Sequence, residues 1–108
     1  MTELTLVEVE EAKGQGDVDR IHLQYDTTFD DAVSYMASLI STHTGYNYDI
    51  ENSHQRKKII LDNGARLLCV KNETNSPYPN KSIRVTLTEA YPSVPHPMDP
   101  RYLRAYLV

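Results

Sequence analysis

Apolar residues recur along this chain in two rhythms, one of about 3.6 and one of 2. Between positions 29 and 40 the apolar residues Phe29, Ala32, Val33, Met36, Leu39 and Ile40 fall at spacings of three and four, which places them on one stripe of a helix. Thr28 precedes the stripe and can accept hydrogen bonds from free N–H groups of the first turn, where Asp31 also suits the helix dipole. Gly45 fits the left-handed position beyond a helix end, so the pattern predicts a helix over about 28–44.

Elsewhere the period is 2. Leu4 to Val9 mixes Leu, Val and Thr with Glu, and Ile21, Leu23 and Tyr25 alternate with Arg20, His22 and Gln24. Both segments read as strands with one solvated face, and Gly14 and Gly16 between them suit a hairpin loop. Lys58 to Leu61 and Arg66 to Val70 predict a second hairpin around Asn63-Gly64, a signal for a two-residue type I′ turn. That turn pairs Ile60 with Leu67 and Ile59 with Leu68. It puts Ile59, Leu61, Leu68 and Val70 toward the core and Lys58, Ile60, Leu67 and Cys69 on the other face. Ser82 to Glu89 predicts a last strand, with Ile83, Val85 and Leu87 inward. Tyr46 to Ser53 fits either a short strand or an ordered loop.

The order hairpin, helix, hairpin, strand resembles a β-grasp, the ubiquitin-like fold, across residues 3 to 89. The resemblance implies an α+β domain in which a mixed sheet of about five strands wraps one main helix, with the final strand beside the first. A plain antiparallel sheet with one helix on a face is the rival arrangement. Ubiquitin-like modifiers end in Gly-Gly, whereas this chain ends Ala105-Tyr106-Leu107-Val108, so the resemblance does not extend to a modifier role.

Beyond Tyr91 the pattern changes again. Pro92, Pro95, Pro97 and Pro100 favour an extended arm, and Asp99-Pro100 can open a short helix carrying Leu103, Tyr106 and Leu107 on one side. The expected organisation is one domain over 1–91 and an arm with a short terminal helix over 92–108. Docked on a second copy, such an arm makes a homodimer. Docked on its own sheet, it closes that sheet.

Composition narrows the function classes. The chain has 108 residues, 40% of them apolar, which is too hydrophobic for a disordered chain. Its apolar runs are far shorter than the roughly 20 residues that cross a bilayer, so no membrane partner is expected. A single Cys and an N-terminus without a basic-then-apolar leader point to a reducing, cytoplasmic setting.

Chemistry-bearing clusters are scarce. His22, His43, His54 and His96 show no metal-ligand spacing, and no glycine-rich phosphate loop opens a helix, so neither metal nor cofactor is expected. An enzyme built on His22, His54 and Cys69 requires those side chains to converge in one pocket. Cys69 in an apolar run reads more simply as a small hydrophobe.

Charge and tyrosine carry more. The formal net charge of −4 hides an asymmetry: residues 1–53 hold two basic and eleven acidic side chains, residues 54–84 seven basic and two acidic. Arg56, Lys57, Lys58, Arg66, Lys71, Lys81 and Arg84 are therefore candidate nucleic-acid contacts, against the simpler reading that basic strands neutralise acidic ones beside them. Six of the eight tyrosines, Tyr46, Tyr48, Tyr78, Tyr91, Tyr102 and Tyr106, fall outside the predicted elements or in the tail. With Leu103 and Leu107 they are candidate partner-binding residues, since tyrosine combines apolar area with a polar tip. The function expected is a small non-catalytic protein-binding module, of the accessory or mobile-element kind, that self-associates through its arm. A nucleic-acid-binding protein is the first alternative and a small His/Cys enzyme the second.

Overall fold

Alternation and helical periodicity resolve into seven elements: β1 (Leu4–Glu10), β2 (Arg20–Tyr25), α1 (Phe29–Thr44), β3 (Tyr48–Ser53), β4 (Arg56–Leu61), β5 (Arg66–Lys71) and β6 (Ser82–Glu89). The computed structural model describes residues 2–10, 20–53, 55–72, 75–78 and 80–89; the strand side chains at 9, 10 and 87–89 are outside that set. The hairpin-loop glycines Gly14 and Gly16, the inward place expected of Leu87, His54, His96 and the arm over 92–108 all lie outside the described residues.

The strands form one six-stranded sheet in the order β1-β2-β6-β5-β4-β3. Every pairing is antiparallel. The fold is α+β, but the β-grasp order is corrected: the last strand lies beside β2, with Ile21 opposite Val85 and Leu23 opposite Ile83, and β1 is an edge. The helix connects β2 in the sheet interior to β3 at the far edge, and the chain then returns strand by strand to β2. Tyr48 to Ser53 is a strand because each of its residues has a partner on β4, from Tyr48 opposite Leu61 to Ser53 opposite Arg56.

The helix forms where its caps and stripe dictate. The Asp31 N–H donates to Thr28 Oγ1 at 3.1 Å. At the other end Gly45 takes φ 81° and its N–H donates to the Ser41 carbonyl at 2.8 Å. Phe29, Ala32, Val33, Met36, Ala37 and Ile40 are buried, with Leu39 packed partly against them. They meet Leu4, Ile21, Leu23, Tyr25, Ile59, Leu61, Leu67, Cys69, Ile83 and Val85, which come from alternate positions of five strands. Each such aliphatic side chain withdrawn from water contributes about 1.5–3 kcal/mol, so this layer is the core.

The second hairpin departs from expectation by one residue. Ile59 lies opposite Leu67 and Lys58 opposite Leu68. The loop is three residues, Asp62-Asn63-Gly64: Gly64 N–H donates to the Leu61 carbonyl and Leu61 N–H to the Ala65 carbonyl, both at 2.9 Å. A type I′ turn needs positive φ at both central residues, and here Gly64 has φ 98° while Asn63 is not in that region. Asn63 instead uses its side chain, accepting the Ala65 N–H at 3.0 Å. Because strand side chains alternate, the slip exchanges faces on β5. Leu67 and Cys69 go to the core, while Leu68 and Val70 join Lys58 and Ile60 on the side away from the helix.

The candidate binding face

The side of the sheet away from α1, covered among the described residues only by the loop residues around Tyr78, carries the residues alternating with the core. Two rows cross it. One runs Glu8, His22, Arg84, Val70, Arg56, and the other Arg20, Thr86, Leu68, Lys58, Glu51. Ile60 sits between Asp49 and Arg66 in a further row. The topology thus converts the asymmetry along the chain into bands. Acidic Glu8 lies on edge strand β1, and Asp49 and Glu51 on edge strand β3. Between them lie Arg20, Arg84, Arg66, Arg56 and Lys58. Glu51 opposite Lys58 is the cross-strand neutralisation expected of neighbouring acidic and basic strands.

The seven candidate cations do not share this surface. Arg56, Lys58, Arg66 and Arg84 do. Lys57 is buried on the helix side, where its Nζ donates to Asn52 Oδ1 at 2.6 Å, pairs with Asp30 Oδ1 at 3.1 Å and stands 5.9 Å from the Phe29 ring centroid. It joins the start of α1 to β4 and is no external contact. Lys71 and Lys81 line a shallow depression beside Thr28 and Phe29, toward the start of the helix.

The tyrosines are dispersed as well. Tyr46 packs partly into the core, and Tyr48 is exposed on β3 with its hydroxyl 3.4 Å from Ser38 Oγ of the helix. Among the described tyrosines, Tyr78 alone reaches the helix-free face. It stacks on His22 with centroids 4.2 Å apart and planes at 19°, and its hydroxyl donates to Glu8 Oε2. Tyr91, Tyr102, Leu103, Tyr106 and Leu107 lie outside the described residues, and with them the self-association expected of the arm.

A loop holds Tyr78 in place. Asn72 N–H donates to the Ser82 carbonyl at 2.8 Å, Asn72 Nδ2 to the Tyr78 carbonyl at 3.3 Å, and Tyr78 N–H to Ser76 Oγ at 3.2 Å. Asn75 and Lys81 take positive φ, 73° and 66°, to turn the chain over the sheet. Beneath the loop is a cleft of about 310 Å³, bounded by Arg20, His22, Asn72, Tyr78, Ser82 and Arg84. Arg20 and His22, read from sequence only as the wet side of a strand, enter this site because β2 pairs with the distant β6, Arg20 opposite Thr86 and His22 opposite Arg84.

The His22–Cys69 dyad does not form. His22 faces the cleft, whereas Cys69 is fully buried beneath the helix, and burial pushes its thiol up to about 12, away from the reactive thiolate. Among the described residues no three His, Cys, Asp or Glu side chains come together as metal ligands. Nor is any helix among them long and apolar enough to cross a membrane. Compared with known protein families, curated proteins and solved structures, the chain matches none.

Proposed function

We propose that the chain is a small non-catalytic protein-binding module whose contact surface is the helix-free face of the sheet, and that its partner presents carboxylates around an apolar centre. One observation carries this reading. Ile60 and Leu68, both half-buried, sit among Arg56, Lys58 and Arg66, so apolar area is ringed by cations. Interfaces have this layout, an apolar middle and a polar rim, and arginine is enriched in them. A nucleic acid is served less well. Acidic Glu8, Asp49 and Glu51 border the cations on both sides, and the two rings described on this face, His22 and Tyr78, are already stacked on each other.

Two defined probes separate the readings: a peptide alternating Glu and Leu, and a single-stranded oligonucleotide, each titrated while backbone amide shifts are followed. Peptide-induced shifts centred on residues 56–60 and 66–68, weakened by Lys58→Gln, support the proposal. Oligonucleotide binding that falls steeply with salt, with no peptide response, replaces it with phosphate recognition.

A further inference from the structure

We infer that Asn63 is a site of covalent self-modification, an asparagine that deamidates through its own backbone when the β4–β5 turn opens and is held unreactive while that turn is closed. Of the six asparagines in the chain, Asn63 alone precedes a glycine. Asparagine is among the thermolabile residues, and a following glycine leaves the backbone nitrogen unshielded because it carries no Cβ. The reaction balances with water and hydroxide alone. Hydroxide removes the Gly64 N–H proton, the nitrogen attacks Asn63 Cγ, the Cγ–Nδ2 bond breaks, and Nδ2 takes up a proton and leaves as ammonia. Water then opens the cyclic imide at one of its two carbonyls, giving aspartate or isoaspartate.

The closed turn opposes each part of that step. Gly64 N–H donates to the Leu61 carbonyl at 2.9 Å, and a hydrogen bond from the protonated nitrogen disfavours the anion that attacks. Asn63 Oδ1 accepts the Ala65 N–H at 3.0 Å, which fixes the side chain toward the residue beyond the nucleophile. The leaving nitrogen, Nδ2, is buried with no hydrogen-bond partner, out of reach of the water that must protonate it. An unsatisfied buried N–H is uncommon in folded proteins, and here it belongs to an amide held by its oxygen alone. Opening the turn frees all three groups together. The position also makes the product consequential. Isoaspartate adds a carbon to the main chain between residues 63 and 64, in the loop that sets Ile59 opposite Leu67. Beyond that loop the chain carries Leu67 and Cys69 into the core and Leu68 to the open face, so a lost register disturbs both surfaces.

The test incubates the full chain, folded and unfolded in urea, at one mildly alkaline pH and temperature. Trypsin cuts after Lys58 and Arg66, and the peptide 59–66 is read by mass and by chromatographic separation of its aspartate and isoaspartate forms. Because two hydrogen bonds must break before the groups can react, the folded chain should convert about thirtyfold more slowly than the unfolded one. Gly64→Ala, whose Cβ shields the nitrogen, should slow conversion in the unfolded chain. Leu23→Ala should convert at the wild-type rate while folded, since the turn opens without the core. The isolated isoaspartate form should lose the backbone contact between 59 and 67, whereas Asn63→Asp, which keeps the main chain and an oxygen for the Ala65 N–H, should retain it. Equal rates in the folded and unfolded chains, or an acceleration of Leu23→Ala in step with its lost stability, overturns the inference. An isoaspartate form with the register intact does the same.

Discussion

The two faces of the sheet are built from the same strands by the same alternation, yet they are different kinds of surface. Beneath α1, Ile21, Leu23, Ile59, Leu61, Leu67, Cys69, Ile83 and Val85 are all at most 2% exposed. On the other side the corresponding places hold His22, Arg84, Lys58, Ile60, Leu68 and Arg56 in a mosaic of charge and hydrocarbon. The first face has one requirement, to exclude water, and almost any aliphatic of the right volume meets it. Geometry under a helix selects for size. Apart from the loop that lays Tyr78 over His22, the second face meets no such cover among the described residues, so most of its residues answer to chemistry and not to volume.

That contrast predicts unequal costs for the same truncation. Leu23→Ala, at the centre of the covered face, should lower unfolding free energy by about 3 kcal/mol, whereas Leu68→Ala on the open face should cost about 1 kcal/mol or less. Denaturant midpoints at unchanged slope measure both. Equal losses would mean that another part of the chain covers the second face in solution.

Alkaline pH sharpens the comparison next, through the thiol that the one-residue slip sends inward. Folding raises the Cys69 pKa from 9.0 to about 12 because burial penalises the thiolate. Between those values the folded chain keeps a proton that the unfolded chain releases, so stability is full below about pH 9 and declines as pH climbs toward 12. By pH 10.5 the loss approaches about 2 kcal/mol, at 1.36 kcal/mol per pH unit. Tyr25, whose pKa burial also raises, adds in the same direction above pH 10. Cys69→Ala should flatten much of this slope. Were Cys69 on the open face, native protein would react readily with a thiol reagent at pH 8; slow reaction is expected.

The smallest effect concerns the turn that sets the faces. Gly64→Ala forces a Cβ into a backbone with φ 98° and should cost about 1 kcal/mol, the register from Ile59 opposite Leu67 being retained. Contacts between the backbones of 59 and 67, read by nuclear Overhauser effects, check it.

What could be read from sequence follows the range over which each feature is decided. The helix was legible because its caps and stripe are local: Thr28, Gly45 and five of the six expected stripe residues are where the spacing puts them, with Leu39 only partly buried and Ala37 added. The second hairpin was half legible. Asn-Gly marks the turn, but whether Asn63 enters the left-handed region or satisfies Ala65 with its side chain is a small local difference that reassigns Leu67, Leu68, Cys69 and Val70 together. Sheet order was not legible at all, since the β2–β6 pairing joins distant segments whose alternation fits several neighbours. The cleft inherits that opacity. Arg84 stood out within a basic segment, but Arg20 joins it only through long-range pairing, and Tyr78 reaches His22 only through the turns at Asn75 and Lys81.

The outermost strands give this arrangement a colloidal consequence. β1 carries an irregularity between Leu6 and Glu8, and β3 presents Asp49 and Glu51. A kinked margin on one side and a negatively charged one on the other both discourage the backbone of a neighbouring molecule from zipping on. Neither margin of the sheet is therefore an easy template for strand-by-strand growth into fibres.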